Sequence, residues 1–122
     1  MILLLTKDLF FVPVLRTAAE LAGSELTVVK QMPDNISAVP ELTAVRAAVV
    51  DLSSISLADL DEIYSQLQQL PECSVKSAFG SHVHAIRLEK AADSGFTPVM
   101  TKGQLSAQAN AIVASWLQPA DK

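Results

Sequence analysis

The chain contains few cysteine, glycine and aromatic residues. In 122 residues there is one cysteine, Cys73, there are four glycines, and aromatic side chains make up 5% of the total. A single cysteine excludes an intramolecular disulfide and fits a reducing compartment. No two of the glycines form a G-x-G arrangement, so the sequence offers no glycine-rich loop for a phosphate or a dinucleotide. The core is therefore expected to be aliphatic.

Basic clusters and long apolar runs are also missing. Nine Lys and Arg residues are scattered among thirteen Asp and Glu residues, and the net charge is -4, which excludes the basic surface that a nucleic-acid partner requires. No apolar run reaches the roughly eighteen residues of a membrane-spanning helix. The apolar segment Met1–Leu5 has no basic leader and is followed by Lys7 and Asp8, unlike a signal peptide. A cytoplasmic protein with no membrane partner is expected.

Apolar segments of strand length alternate with amphipathic segments along the whole chain. The pattern predicts strands at residues 1–5, 25–30, 46–52, 74–80 and 96–101, and helices at about 9–22, 56–70, 85–92 and 105–118. Between residues 31 and 43 the prolines allow at most a short helix of about two turns. The alternation predicts an α/β fold in a single domain, residues 1–118, followed by a polar tail, residues 119–122. Phe10, Phe11 and Val12, at the start of the first helix, are expected in the core.

The segment Ala47–Ser54 begins with four apolar residues, continues with a single carboxylate, Asp51, and ends in a polar loop. A run so short and so uniformly apolar is typical of a strand that is buried on both faces of a parallel sheet covered by helices. In such sheets the functional surface lies beyond the carboxyl ends of the strands. Asp51 is therefore a candidate functional residue, with a loop-capping or lysine-paired acid as the alternative.

Three features of the chain resemble the receiver domain of two-component response regulators. They are the spacing of the first strand, the first helix and Gly23, the position of Asp51 at the end of the third strand, and the stretch from Ser94-Gly95 to Lys102. The resemblance covers essentially the whole chain. It implies a doubly wound, flavodoxin-like sheet of five parallel strands in the order 2-1-3-4-5, with helices on both faces and a shortened second helix. It also implies a phospho-acceptor at Asp51 and a phosphate-contacting lysine at Lys102, for which a solvent-facing helix-start lysine is the alternative.

The other functional positions of a receiver are altered in this chain. The acidic pair that holds magnesium falls on Thr6 and Lys7, and the hydroxyl residue falls on Gly80, next to Ser81. An ammonium in place of a carboxylate repels Mg²⁺ instead of binding it, and Lys7 is expected to pair with Asp51. The resemblance therefore implies a degenerate receiver without catalytic residues, metal or cofactor, in which a vestigial Asp51 lies near Lys102, Lys7 and Ser81.

The leading functional hypothesis is a pseudo-receiver, not an enzyme, that acts by protein–protein interaction in two-component or phosphorelay signalling. It is expected to bind a protein partner or a second copy through the face of the predicted fourth helix, fifth strand and fifth helix, which receivers commonly use in this way. That face includes Ile86, Lys90, Gln104 and Gln108.

Two other hypotheses stay open. The string Val50–Ser56 also resembles the phosphorylatable loop of STAS-type anti-sigma-factor antagonists, which would make Ser53 or Ser54 a kinase target. STAS domains, however, begin with a pair of strands before their first helix, whereas this chain is expected to begin with a strand, then a helix, then a second strand. The other hypothesis is a receiver that is still phosphorylated on Asp51 and has moved its metal to Asp8.

Overall fold

The computed structural model describes residues 1–117, so the predicted domain limit at residue 118 and the tail lie outside the described residues. The centre of the molecule is one sheet of five parallel strands in the order β2-β1-β3-β4-β5. This order confirms the predicted flavodoxin-like fold. The strands are β1 (Ile2–Leu5), β2 (Leu26–Val29), β3 (Ala47–Asp51), β4 (Val75–Gly80) and β5 (Val99–Thr101).

Four α-helices follow the strands along the chain. They are α1 (Val12–Leu21), α2 (Leu60–Gln68), α3 (Ala85–Ser94) and α4 (Lys102–Trp116). Between β2 and β3, where the prolines allow at most a short helix, the chain forms two 3₁₀ turns, Ile36–Ala38 and Pro40–Ala44. Pro40 has no backbone N–H to extend a helix from the preceding turn. The face of the predicted fourth helix, fifth strand and fifth helix is therefore the α3–β5–α4 face in the structure.

The helices cover both faces of the sheet and bury it completely at its centre. Helices α1 and α4 pack on one face, over a core that includes Ile2, Leu4 and Val49. Helices α2 and α3 pack on the other, over a core that includes Leu3, Leu5 and Val50. Consecutive residues of β1 and β3 thus enter opposite cores, because side chains alternate along a strand. This burial accounts for the uniformly apolar sequences of the two strands.

The start of α1 differs from expectation at one residue. Asp8 caps the 3₁₀ turn Leu9–Phe11, and its Oδ1 accepts a hydrogen bond from Phe10 N at 3.0 Å. Phe11 is buried against Phe79, with 4.9 Å between ring centroids, whereas Phe10 is 70% exposed. Successive side chains of a 3₁₀ turn point about 120° apart, so only one of the two rings faces the sheet. The prediction of a buried Phe10 is wrong.

None of the helices described between residues 1 and 117 combines the length and apolar character needed to cross a membrane.

Candidate functional site

Asp51 ends β3 as a buried carboxylate with hydrogen bonds to both oxygens. Its Oδ2 accepts from Thr6 Oγ1 at 2.7 Å and from Ser54 Oγ at 3.1 Å. Its Oδ1 accepts from Ser53 Oγ at 2.6 Å and from Ser53 N at 3.0 Å. The residue is 2% exposed. Three hydroxyls and one backbone N–H thus replace the water around this carboxylate, and we call Thr6, Asp51, Ser53 and Ser54 the Asp51 cluster.

Local chain geometry assembles the Asp51 cluster. Asp51 is the N-cap of the 3₁₀ turn Leu52–Ser54, a position that favours a short acceptor side chain bonded two residues ahead. The register of β1 against β3 pairs Leu5 with Val50, which brings Thr6 level with Asp51. Thr6 Oγ1 lies 2.9 Å from the carbonyl of Asp8 as well. Because the hydroxyl has one proton, we assign it to the shorter, charged acceptor at Asp51.

Lys7 contacts the Asp51 cluster through its backbone. Its N–H donates to Ser54 Oγ at 2.9 Å, and its side chain is exposed. The hydrogen bonds that Asp51 accepts within residues 1–117 come from the cluster itself, so the expected Lys7–Asp51 pair is not formed. Lys7 instead lines the pocket toward α2, together with Asp34, Asp59 and Glu62.

Lys102, the first residue of α4, reaches the Asp51 cluster through Ser53. Its Nζ lies 3.4 Å from Ser53 Oγ, which gives its own proton to Asp51 and accepts from the ammonium. The lysine is half-buried. The structure therefore brings Lys102 near Asp51, one hydroxyl away from the carboxylate.

Ser81 does not join the Asp51 cluster. Its Oγ accepts from Val83 N at 3.4 Å and so caps the turn that precedes α3. At the neighbouring Gly80, a Cβ atom would lie 3.4 Å from Leu52 Cβ and 3.5 Å from Leu88 Cδ2. A side chain at position 80 would thus meet apolar groups. The predicted nearness of Ser81 to Asp51 has no hydrogen bond to support it.

The described residues contain no group of three or more His, Cys, Asp or Glu side chains placed to hold a metal ion. Asp8, the candidate for a moved metal site, instead uses Oδ1 to cap the turn that leads into α1. His82 and His84 lie in the loop before α3 and are exposed.

Sequence reasoning missed Arg87. Its Nη1 donates to the carbonyl of Leu52 at 2.9 Å and to the carbonyl of Ile55 at 3.3 Å. These bonds tie α3 to the loop that holds Ser53 and Ser54. Nothing in the sequence near Arg87 indicated this contact, because its acceptors are backbone groups more than thirty residues away. The signal that could have found the hydroxyl cluster is the Asp-x-Ser order of Asp51 and Ser53, which is typical of a capped turn.

The four side chains predicted for the α3–β5–α4 face are all exposed: Ile86, Lys90, Gln104 and Gln108. Gln104 also has a local role, since its Oε1 accepts from Thr101 N at 2.9 Å in a capping box at the start of α4. Gln108 has non-helical backbone angles and marks a kink within α4.

No protein-family model matches the chain, and no curated protein does. Two solved structures are similar to it. A putative pilus assembly-related protein from Burkholderia pseudomallei K96243 is 17% identical, with a TM-score of 0.67 over 98% of this chain and 92% of its own. A CheY-like protein (tadZ) from Pseudomonas aeruginosa PAO1 is 12% identical, with a TM-score of 0.69 over 99% of this chain and 95% of its own. The chain therefore has a receiver-like, CheY-type fold.

Proposed function

We propose that this protein is a non-catalytic, receiver-like signalling domain that works by protein–protein interaction and does not take up phosphate with magnesium. The observation that carries the proposal is the state of Asp51, whose two carboxylate oxygens accept four hydrogen bonds from within the chain at 2% exposure. A phospho-acceptor must present a free carboxylate oxygen in line with the incoming phosphorus. Breaking the bonds of the cluster to free one oxygen would cost about 1–3 kcal/mol for each bond.

The surroundings of Asp51 also support the absence of a magnesium site. The side chain that meets the carboxylate from β1 is the hydroxyl of Thr6, and the next residue is Lys7. Mg²⁺ needs carboxylates, phosphates or water in a near-octahedral arrangement, and hydroxyls are weak substitutes. Without the metal, charge developing on the transferred phosphoryl group would have Lys102 as its main counter-charge.

Acetyl phosphate with Mg²⁺ tests the proposal directly. We expect the intact mass of the protein to stay unchanged, while a phosphorylatable receiver treated in parallel gains one phosphoryl group. A stoichiometric gain that disappears in Asp51→Asn would overturn the proposal and favour the phosphorylatable receiver. A gain that disappears in Ser53→Ala or Ser54→Ala after treatment with a protein kinase would favour the STAS-type hypothesis, which the strand–helix–strand opening of this chain does not support.

For the interaction, we propose the α3–β5–α4 face and a protein partner or a second copy. Ile86 is 73% exposed, and its neighbours on this face include Lys90, Gln104 and Gln108, a mixture suited to a modest, partly polar contact. Ile86→Glu and Gln108→Glu should weaken association measured by sedimentation velocity or partner titration without lowering the melting temperature. Leu21→Glu and Gln69→Glu, exposed residues away from this face, are the matched controls. An equal loss of association in the control variants would contradict the proposal that the α3–β5–α4 face is the binding site.

We propose a cytoplasmic location, which the single unpaired cysteine and the proposed signalling role support. Because one structural neighbour is described as a putative pilus assembly-related protein, proteins of pilus assembly are sensible first candidates as partners.

A further inference from the structure

Strand β2 forms one edge of the sheet and pairs on one side only, with β1. The carbonyl of Val29 accepts a hydrogen bond from Thr6 N at 3.0 Å, so the odd-numbered residues of β2 face β1. Because backbone groups alternate in direction along a strand, the N–H and C=O groups of Leu26, Val28 and Lys30 point away from the sheet. Between residues 1 and 117, no hydrogen bond reaches these outward groups.

The sequence of β2 lacks the features that usually keep an edge strand from pairing with another chain. It reads Leu-Thr-Val-Val, without proline, glycine or charge, whereas natural edges are commonly protected by proline, lysine or a bulge. Thr27, Val28 and Val29 are only half-buried. An open groove of about 570 Å³, lined by Thr27, Val29 and residues of the connection to β3, runs beside the strand. The edge therefore offers unpaired backbone groups together with partly uncovered apolar side chains.

The opposite edge of the sheet is less suited to pairing. Strand β5 has three residues, Val99–Thr101, and Lys102 begins α4 immediately after it. Pro98, immediately before β5, has no N–H to donate to a further strand. Of the two edges, β2 is therefore the one to which another strand could be added.

The two ends of β2 carry opposite charges. Glu25 precedes the strand and Lys30 follows it, and both side chains are exposed. In an antiparallel pair of β2 strands, Glu25 of each copy would lie near Lys30 of the other, whereas a parallel pair would place like charges side by side. The charges of β2 thus complement a second copy of the same strand in antiparallel orientation.

We propose that two copies of this chain associate through β2, antiparallel about a two-fold axis at Val28, so that their sheets form one continuous sheet. Leu26 of each copy would exchange backbone hydrogen bonds with Lys30 of the other, and Val28 with Val28, about six bonds in all. A second copy brings a β2 that is already ordered, whereas a disordered peptide would lose conformational entropy for these few bonds. This edge is separate from the α3–β5–α4 face, which stays available to a protein partner.

Amide hydrogen exchange measured by NMR tests the proposal at single residues. The Val28 N–H points outward and should exchange more slowly as the protein concentration rises, in step with the dimer fraction measured by sedimentation equilibrium. The Val29 N–H faces β1 and should be protected already in dilute protein, where the chain is monomeric. The contrast between these two neighbouring amides is specific to pairing along the β2 edge.

Substitutions at β2 test the same contact independently. Val28→Pro removes the N–H at the axis in both copies and should raise the dissociation constant of the dimer about tenfold or more. Proline is tolerated on the outward side of an edge strand, and circular dichroism with urea unfolding verifies that the monomer is folded. Glu25→Lys and Lys30→Glu should each weaken the dimer about two- to fivefold, and the double variant should restore it, because opposite charges meet again. Glu72→Lys, at an exposed residue before β4, is the matched control and should dimerise as the wild type does.

The proposal is overturned if the protein remains monomeric at the highest concentration that sedimentation equilibrium can reach. A dimer in which the exchange of the Val28 N–H is unchanged would also overturn it. Loss of the dimer in Ile86→Glu but not in Val28→Pro would assign self-association to the α3–β5–α4 face, and a double charge variant that stays weak would exclude the antiparallel arrangement. None of these results depends on the acetyl phosphate experiment.

Discussion

The ring of Tyr64 in α2 lies directly over Gly95, the residue that follows α3 and caps its end. A Cβ atom at position 95 would lie 2.7 Å from Tyr64 Cζ, and the glycine has a φ of 119°. The same tyrosine stacks edge-on against Phe96, with 5.1 Å between ring centroids. The close approach of α2 to the end of α3 thus depends on the absence of a side chain at this residue.

Gly95→Ala should therefore lower the free energy of unfolding through both backbone strain and the clash with Tyr64. Gly23 has a positive φ of 79° and nothing within 4 Å of its would-be Cβ, so Gly23→Ala isolates the backbone part, about 1–2 kcal/mol. Urea unfolding of the two variants measures the difference. We expect Gly95→Ala to be the more destabilised; equal losses would mean that Tyr64 moves aside without cost.

Asp51→Asn should destabilise the domain by about 1–3 kcal/mol, because the amide NH₂ would face hydroxyls that now donate to a carboxylate. Thr6→Val, which removes one of those hydroxyls at nearly constant volume, should cost less, since Asp51 keeps three donors. Urea unfolding at neutral pH measures both. Asp93→Asn makes the same chemical change at an exposed site in α3 and should change stability by less than about 0.5 kcal/mol. A stabilised Asp51→Asn would mean that the carboxylate is strained.

Arg87→Met should loosen the loop after β3, because the methionine keeps much of the packing and removes both bonds to the carbonyls of Leu52 and Ile55. Hydrogen exchange of the amides in residues 52–56 should become faster, and stability should fall by about 1–3 kcal/mol. Arg16→Met, at an exposed residue of α1, is the control. Unchanged exchange in this segment would show that the Asp51 cluster holds the loop without Arg87.

Cys73 should react slowly with thiol reagents while the protein is folded. Burial raises the pKa of its thiol, and the nearby Lys76 ammonium and two backbone hydrogen bonds oppose this only in part. The thiolate that such reagents attack is therefore scarce at neutral pH. We expect modification by Ellman's reagent to be much faster in urea than in buffer. Equal rates in the two media would contradict burial of this residue.

The raised pKa of Cys73 also predicts how the free energy of unfolding depends on pH in the alkaline range. A thiol with a higher pKa in the folded than in the unfolded state favours folding below its unfolded pKa. That advantage disappears as the pH rises through the folded pKa, since the unfolded chain loses its proton first. Stability of the wild type should thus fall more steeply above the ordinary thiol pKa than that of Cys73→Ala. If the free energies of unfolding of the wild type and of Cys73→Ala change in parallel with pH in this alkaline range, the raised pKa of Cys73 would be contradicted.

The succession of strands and helices could be predicted because local signals marked almost every element, whereas the strand order followed from the receiver resemblance. The cap at Asp8, the glycines after α1 and α3, and the apolar run into Asp51 each agree with the tertiary structure. The two 3₁₀ turns between β2 and β3 could not be predicted, since prolines exclude a long helix without specifying the turns that replace it.

The candidate site was only partly predictable. The position of Asp51 followed from the strand pattern, and the positions of Thr6 and Lys7 followed from the receiver resemblance. Which of these two neighbours meets the carboxylate depends on the direction of each side chain at the end of β1, which sequence spacing does not determine. The exposure of Phe10 and the reach of Arg87 depend on packing between distant segments, and neither leaves a local pattern.

The Asp51 cluster has a consequence for how the central strands align. Because β1 and β3 are apolar at every buried position from Ile2 to Leu5 and from Ala47 to Val50, sliding one strand by a residue would still place apolar groups in both cores. The alternation of apolar and polar residues, which fixes the register of half-exposed strands, is absent from β1 and β3. A slip would, however, separate Thr6 from Asp51 and remove one of the four hydrogen bonds to this buried carboxylate. The bond from Thr6 to Asp51 therefore favours this alignment of β1 with β3, a form of structural specificity that the apolar residues alone do not supply.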